Sequence, residues 1–173
     1  MIGESNYTEC AVKKLPKNTD IILKSLLVLG VVVLGLATLL TTGILSILFV
    51  ILLVLYFLFL TNQWSRFKVE YEYIFVDGQI DFDVMYSGNS RKNLKRIDMD
   101  KVVIVAPEGS HHLDGYKHLN LKPLDCTSGD PAKKAYAIII KGNEGQEKVL
   151  FEPDSNFLQY MKKKAPRKVM ESD

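Results

Sequence analysis

Hydrophobic residues are concentrated in one long block near the start of the chain. Residues 25–61 are 37 consecutive positions without Asp, Glu, Lys, Arg or His. One helix of this length would measure about 55 Å at about 1.5 Å per residue, nearly twice the thickness of a bilayer's hydrocarbon core. A break is visible at Thr41-Thr42-Gly43, because β-branched polar residues disfavour a helix and glycine commonly ends one. The pattern therefore predicts two apolar spans, 25–40 and 44–61, that form a transmembrane helical hairpin.

After the hairpin, large apolar residues alternate with charged ones over 67–75, which is the pattern of a half-buried β-strand. Asp77-Gly78 follows and is a preferred pair for a two-residue hairpin turn, because both positions need positive φ. Pairing the strands about this turn places Phe75 opposite Ile80, with the large residues of both strands on one face. The other opposed pairs are Tyr73 with Phe82, Tyr71 with Val84, and Val69 with Tyr86.

The remaining sequence predicts further strands and one closing helix. Apolar runs bounded by turn residues indicate strands, and a second hairpin is expected at Gly142-Asn143-Glu144-Gly145. The segment 108–131 is rich in glycine and proline and is expected to be mostly loop. Asp154 or Ser155 is expected to cap a helix that ends before Pro166. The expected strands are one through Leu94 and Ile97, then 101–107, a short one at 118–122, 136–141 and 146–152.

These elements divide the chain into four parts. Residues 1–20 are polar without usable periodicity and are expected to form a short arm, followed by the two-helix hairpin at 21–63. Residues 64–165 form one β-rich domain, and 166–173 a basic and polar tail. The fold class is therefore an α+β membrane protein. Strands followed by one helix give the element order of a pleckstrin-homology-like (PH-like) β-barrel or sandwich with a C-terminal helix.

The placement of charge predicts the orientation in a bilayer. Lysine and arginine flank both ends of the hairpin, whereas the turn at 41–43 carries no charge. Because positive flanks mark the cytoplasmic side, both termini and the β domain are expected at the cytoplasmic face of the cell membrane. The net charge of +2 argues against a nucleic-acid partner. The flanking cations are Lys13, Lys14, Lys17 and Lys24 before the hairpin, and Arg66 and Lys68 after it.

A group of acids and a group of bases follow each other in the first three strands after the hairpin. The predicted register places Glu72 opposite Asp83 on a like-charged face, and the next strand carries the basic residues. Two interpretations remain open: the bases neutralise the acids across an exposed sheet, or they contact anionic lipid head groups or a partner. The acids are Glu70, Glu72, Asp81 and Asp83, and the bases are Arg91, Lys92, Lys95 and Arg96.

Residues with metal or catalytic chemistry form no recognisable motif. His111, His112 and His118 are suitable metal ligands, but their spacing matches no known site. Cys10 and Cys126 are isolated and predict neither a disulfide framework nor a metal cluster. We therefore predict no catalytic residue, no metal and no cofactor.

Four motifs resemble those of one family. They are Glu70-Tyr71-Glu72-Tyr73, Asp77-Gly78-Gln79-Ile80-Asp81, the basic run from Arg91 to Arg96, and Asp125-Cys126-Thr127-Ser128-Gly129. The chain resembles small two-span membrane proteins of Gram-positive anaerobes, a family without an assigned activity. That resemblance implies an N-terminal hairpin and a cytoplasmic domain similar to bacterial PH domains, and it carries over no catalytic residue. Phosphoinositide binding is not transferred, because a fold alone does not define a site.

Three functional hypotheses follow from these observations. The first is a non-enzymatic membrane adaptor, whose partners are the bilayer and a protein that binds an exposed sheet edge or loop. The second is a module that senses anionic lipid through the basic residues at 91–96 and the lysines near the C-terminus. The third is a membrane enzyme built around the histidine loop, and it requires the histidines to converge with a carboxylate in a pocket.

Overall fold

The computed structural model describes residues 7–64, 68–87, 90–142 and 145–170. Contacts divide the chain into two compact units, one of Leu15–Val69 and one of Met1–Lys14 with Glu70–Asp173. Several sequence-based expectations fall outside the described residues. They concern Arg66, Phe67, the turn residues Gly88 and Asn89, and the turn residues Asn143 and Glu144.

The first unit contains the two apolar helices of the predicted hairpin, α1 (Asn18–Leu40) and α2 (Ile44–Trp64). Gly43 between them has φ +71°, a conformation that glycine adopts without strain. Both helices are long and apolar enough to cross a membrane, and among their side chains only Leu60 is buried. Because so large an exposed apolar surface is unfavourable in water, the two helices fit a two-span membrane protein.

A polar contact joins the two helices within the apolar region. The Tyr56 hydroxyl donates a hydrogen bond to the Leu27 carbonyl over 3.1 Å. Gly30 leaves room for this ring, since a Cβ there would lie 2.5 Å from the Tyr56 hydroxyl oxygen. At one end of the pair, the Lys24 ammonium lies 6.0 Å from the centre of the Trp64 ring. Gly30 therefore has a packing role in the hairpin.

The second unit contains two four-stranded sheets. One sheet has the order β1-β2-β3-β4 and the other β5-β7-β8-β6, with β6 parallel to β8. A C-terminal helix, α4, follows the last strand, and a short helix, α3, lies between β5 and β6. This order confirms the PH-like sandwich with a C-terminal helix. The strands are β1 Tyr7–Lys13, β2 Val69–Val76, β3 Gln79–Tyr86, β4 Ser90–Asp98, β5 Val102–Pro107, β6 Leu124–Asp125, β7 Tyr136–Lys141 and β8 Gln146–Phe151. The helices are α3 Asp114–Lys117, preceded by a 3-10 turn at His111–Leu113, and α4 Ser155–Lys164.

The tight turn at Asp77-Gly78 joins β2 to β3 as the sequence predicts. Asp77 has φ +48° and Gly78 has φ +96°, the pair of positive values that a type I′ turn requires. Most of the large residues on the predicted inward face are buried, whereas Val69 and Tyr86 at its end are only half-buried. The rings of Tyr73 and Phe82 lie 5.5 Å apart. The alternation of the sequence therefore identifies the face that packs into the core.

An aromatic cluster joins the two sheets and α4. Phe151 of β8 lies 5.6 Å from the Tyr73 ring and 5.7 Å from the Phe82 ring, both on the other sheet. Phe157 of α4 lies 6.1 Å from Phe151, and all four side chains are fully buried. The Asp154 side chain accepts the Phe157 N–H over 2.7 Å, so the predicted helix cap orients α4 over this core.

Three expectations about the ends and loops need correction. The arm expected at 1–20 contains β1, which pairs with β2 from Tyr7 opposite Val76 to Lys13 opposite Glu70. Burial alternates along β1, but of its inward residues only Val12 is strongly apolar, so the sequence gives a weak strand signal and the pairing with β2 decides the structure.

The tail expected at 166–173 also contributes to the domain. Val169 forms a parallel bridge with Val105 of β5, and burial of its apolar side chain against the sheet stabilises this position.

The short strand expected at 118–122 is not formed, and β6 lies at Leu124–Asp125 instead. Pairing with β8 decides this position, since local alternation over so few residues is a weak signal.

Candidate functional site

The strand β4 forms one edge of the first sheet. It pairs with β3 on one side, and no described residue pairs with its other side. Two other edge strands are contacted by neighbouring segments: α4 contacts β1, and the C-terminal segment pairs with β5. On β5, the Val105 N–H donates to the Lys168 carbonyl over 2.7 Å, and the Met170 N–H donates to the Val105 carbonyl over 2.8 Å. Unsatisfied backbone donors and acceptors make an open edge such as β4 a template for another strand.

A bulge interrupts β4 near its middle. Lys95 lies opposite Phe82 and Asn93 lies opposite Asp83, so Leu94 is an extra residue without a partner position on β3. Bulges on an edge strand increase its twist and limit uncontrolled pairing with other chains.

The pairing distributes the four predicted basic residues over both faces of the sheet. Directly opposed residues project to the same face, so Arg96 shares the outer face with Asp81. Lys92 lies opposite buried Val84, on the other face. Lys95, opposite Phe82, is also on that side. The structure therefore does not gather the four cations into one patch.

On the outer face, an ion-pair network joins three strands. Arg91 Nε donates to Asp83 Oδ2 over 2.5 Å, and Arg91 Nη2 lies 2.8 Å from Glu72 Oε2 without hydrogen-bond geometry. Asn93 Nδ2 donates to the second oxygen of Asp83 over 2.7 Å. The bond to Asp83 raises the pKa of the Arg91 guanidinium above its already high ordinary value. The network forms the acid–base neutralisation that one of the two interpretations expects.

The remaining members of the acidic and basic groups have separate partners. Arg96 donates to both carboxylate oxygens of Asp81 over 2.6 and 2.9 Å. Half-buried Lys95 forms an ion pair with Glu147 of β8, and burial lowers the pKa of Lys95. Glu70 lies opposite Lys13 of β1. Lys92 is exposed and has no ion pair with any described residue.

Removing Arg91 tests whether this network stabilises the sheet. In Arg91→Ala, the buried Asp83 carboxylate keeps only Asn93, and Glu72 loses its nearby cation. We expect a loss of about 1–2 kcal/mol in the free energy of unfolding, at the low end because Arg91 is half exposed. Arg96→Ala is the matched control and should cost less, since Arg96 and its bonds are more exposed. Equal losses in denaturant unfolding of the two variants would contradict the role of the network.

The predicted histidine site is not assembled. His111 and His112 stack with ring centres 3.9 Å apart, and His118 is exposed beyond the end of α3. No cluster of three or more His, Cys, Asp or Glu suitable for a metal occurs in the described part of the chain. A cavity of about 210 Å³ lies beneath this segment, but Leu113, Tyr116 and other non-histidine residues line it. The geometry therefore gives the enzyme hypothesis no support.

A buried polar cluster escaped sequence reasoning. Glu152 Oε1 accepts hydrogen bonds from the Ser128 N–H and hydroxyl, each over 2.9 Å, while Lys133 Nζ lies 3.9 Å from Oε2. The Tyr73 hydroxyl donates to the Cys126 carbonyl, and burial raises the pKa of the Cys126 thiol to about 12. These bonds hold the loop after β6 against the end of β8. The only available signal was a charged residue directly after an apolar strand, which does not reveal its partners.

Two sheets and a C-terminal helix define a PH-like domain, and two exposed apolar helices fit a two-span membrane protein. The chain belongs to the bacterial PH-like domain family (DUF6106), whose model matches residues 4–171. The match includes β1 and both apolar helices as well as the β domain. No match was found among curated proteins or among solved structures.

Proposed function

We propose that this protein is a membrane-anchored, non-enzymatic adaptor that presents its PH-like domain to a protein partner at the cytoplasmic face of the cell membrane. The observation that carries the proposal is the open edge of β4 on a domain attached to two apolar helices. An extended peptide can add to such an edge, with backbone hydrogen bonds providing affinity and neighbouring side chains providing specificity.

The pairing of β1 with β2 supports a topology with both hairpin ends on one side. β1 precedes the hairpin and β2 follows it, yet the two strands pair over seven positions. Strands that hydrogen-bond directly to each other lie on the same side of a bilayer. Insertion of α1 and α2 as two spans therefore leaves both ends on the side of the β domain. The lysines at positions 13, 14, 17, 24 and 68 favour the cytoplasm for that side.

The charges on β4 favour a protein partner over an anionic lipid surface. Arg91, Lys95 and Arg96 already have carboxylate partners within the domain. A lipid phosphate would have to replace those partners, so the electrostatic gain per residue is smaller than for free cations. The backbone groups along the open side of β4 need no such exchange.

A photocrosslinking residue at Lys92 tests the proposal in the full chain. Lys92 lies on β4 and is exposed, and exposed Lys163 on α4 is the matched control position. In membranes of the native host, we expect the probe at position 92 to yield one reproducible protein adduct that is absent with the probe at position 163. Adducts with lipid alone, or the same proteins at both positions, would contradict the adaptor proposal.

A further inference from the structure

A second feature of the β domain is a cleft of about 470 Å³ near the end of β4. It lies beside the turn that precedes β5 and the end of β7, and its size is within the range of small-molecule sites. Four cationic side chains line it, together with two carboxylates. The cations are Lys95, Arg96, Lys101 and Lys141, and the carboxylates are Asp98 and Glu147.

Two of the cations are held next to each other by the backbone. The Lys141 N–H donates to the Lys101 carbonyl over 3.0 Å, where the start of β5 meets the end of β7. Both side chains are exposed, and neither has an ion pair with a described residue. The backbone at the start of β5 thus places two lysines at neighbouring positions, and like charges at neighbouring positions repel each other unless an anion lies between them.

Each carboxylate of the cleft has a polar partner, and the four cations outnumber the two carboxylates. Asp98 Oδ1 accepts the Asp100 N–H over 3.0 Å, and Glu147 is paired with Lys95. Lys95 is the least exposed of the four cations, and its desolvation lowers the pKa of its ammonium group. Arg96 is paired with Asp81. Among the described residues, Lys101 and Lys141 are therefore the cations of the cleft that remain available for an external anion.

We propose that this cleft binds a phosphomonoester, carried either by a soluble metabolite or by a lipid head group. Lys101 and Lys141 would contact the phosphate oxygens directly, while Lys95 keeps its ion pair with Glu147 at the wall of the cleft. Lysine ammonium groups act as point charges that bind phosphate, and two of them can share the two negative charges of a phosphomonoester. The cleft includes Lys95 and Arg96 of β4, whereas the proposed phosphate contacts lie outside that strand. The two proposals are tested at different positions, 92 for the partner and 101 with 141 for the phosphate, so either can fail alone.

Amine footprinting of the full chain in neutral detergent micelles tests the site residue by residue. Glycerol 3-phosphate is the soluble probe, and uncharged glycerol is its control. Dihexanoyl phosphatidic acid is the lipid probe, and zwitterionic dihexanoyl phosphatidylcholine is its control. Acetylation at each lysine is measured by mass spectrometry. We expect a phosphomonoester probe to slow acetylation of Lys101 and Lys141 by about threefold or more, while exposed Lys163 is unchanged.

The two arms distinguish the source of the phosphate. Protection by both phosphomonoesters supports recognition of the phosphate itself, and protection by the phosphatidic acid alone supports a lipid head group. Protection by neither probe, or equal protection of Lys163, would overturn the proposal.

Charge removal provides a second measurement. In Lys101→Gln with Lys141→Gln, we expect the affinity for the protecting probe to fall roughly tenfold or more in calorimetric titrations. The control is Lys122→Gln with Lys163→Gln, which removes the same charge from exposed positions outside the cleft. A loss as large in the control would assign the binding to general electrostatics and overturn the site. If the first pair fails to fold, the footprint of the native chain decides.

Discussion

Deletion of residues 7–13 is expected to unfold the β domain, although a two-helix hairpin separates them from the rest of it in the chain. The deletion removes β1, which pairs with every residue of β2 except Val69, so β2 becomes an edge strand paired only with β3. It also removes buried Val12 and exposes the flank of the core residue Tyr73, which lies opposite Cys10. Typical domains are stable by only about 5–15 kcal/mol, so the loss of a whole strand removes most of that stability.

The Cys126 thiol reports this unfolding. Burial raises its pKa to about 12, so at pH 8 the native thiol stays protonated and reacts slowly with alkylating reagents. Unfolding returns the thiol to water and to its ordinary pKa, which increases the thiolate fraction and the rate. A Cys10→Ser background leaves Cys126 as the one thiol in the intact chain, since the protein has two cysteines.

A hairpin-free chain provides the matched control. Residues 7–14 joined to 68–173 through about eight Gly and Ser residues are expected to protect Cys126, whereas 68–173 alone is expected to react quickly. Equal protection in the two soluble chains would show that β1 is dispensable.

Phe151→Ala is expected to have the second largest effect, with a loss of about 3–5 kcal/mol in the free energy of unfolding. Phe151 is fully buried, and its ring contacts residues from the first sheet, from β7 and from α4. Truncation opens a cavity at the point where these layers meet, and the surrounding strands cannot collapse far enough to fill it. Because the aromatic rings pack edge to face, part of the loss is the ring geometry itself.

Denaturant titration of Cys126 alkylation in detergent micelles measures this effect. Phe151→Leu keeps most of the apolar volume and should lose clearly less stability than Phe151→Ala. Leu119→Ala, at an exposed position after α3, should lose little. If Phe151→Ala and Leu119→Ala unfolded at the same denaturant concentration, the aromatic cluster would not be the centre of the core.

Local patterns in the sequence predicted the elements whose residues carry their own signal. The uncharged apolar block predicted α1 and α2, and Thr41-Thr42-Gly43 predicted where they separate. Asp77-Gly78 predicted the turn between β2 and β3, and Asp154 predicted the start of α4. In each case the determining interaction spans only a few residues, so composition and spacing are sufficient.

The sequence by itself determined the two apolar helices, the order of most strands and the inward face of β2, because these follow from local periodicity. Only the tertiary structure decided that β1 belongs to the domain, that Val169 extends the second sheet, and that the bases of β4 are divided between two faces. It also decided that the backbones of Lys101 and Lys141 are joined by a hydrogen bond. The physical reason is that strand partners and bulges depend on contacts between residues far apart in the chain, which local periodicity does not encode.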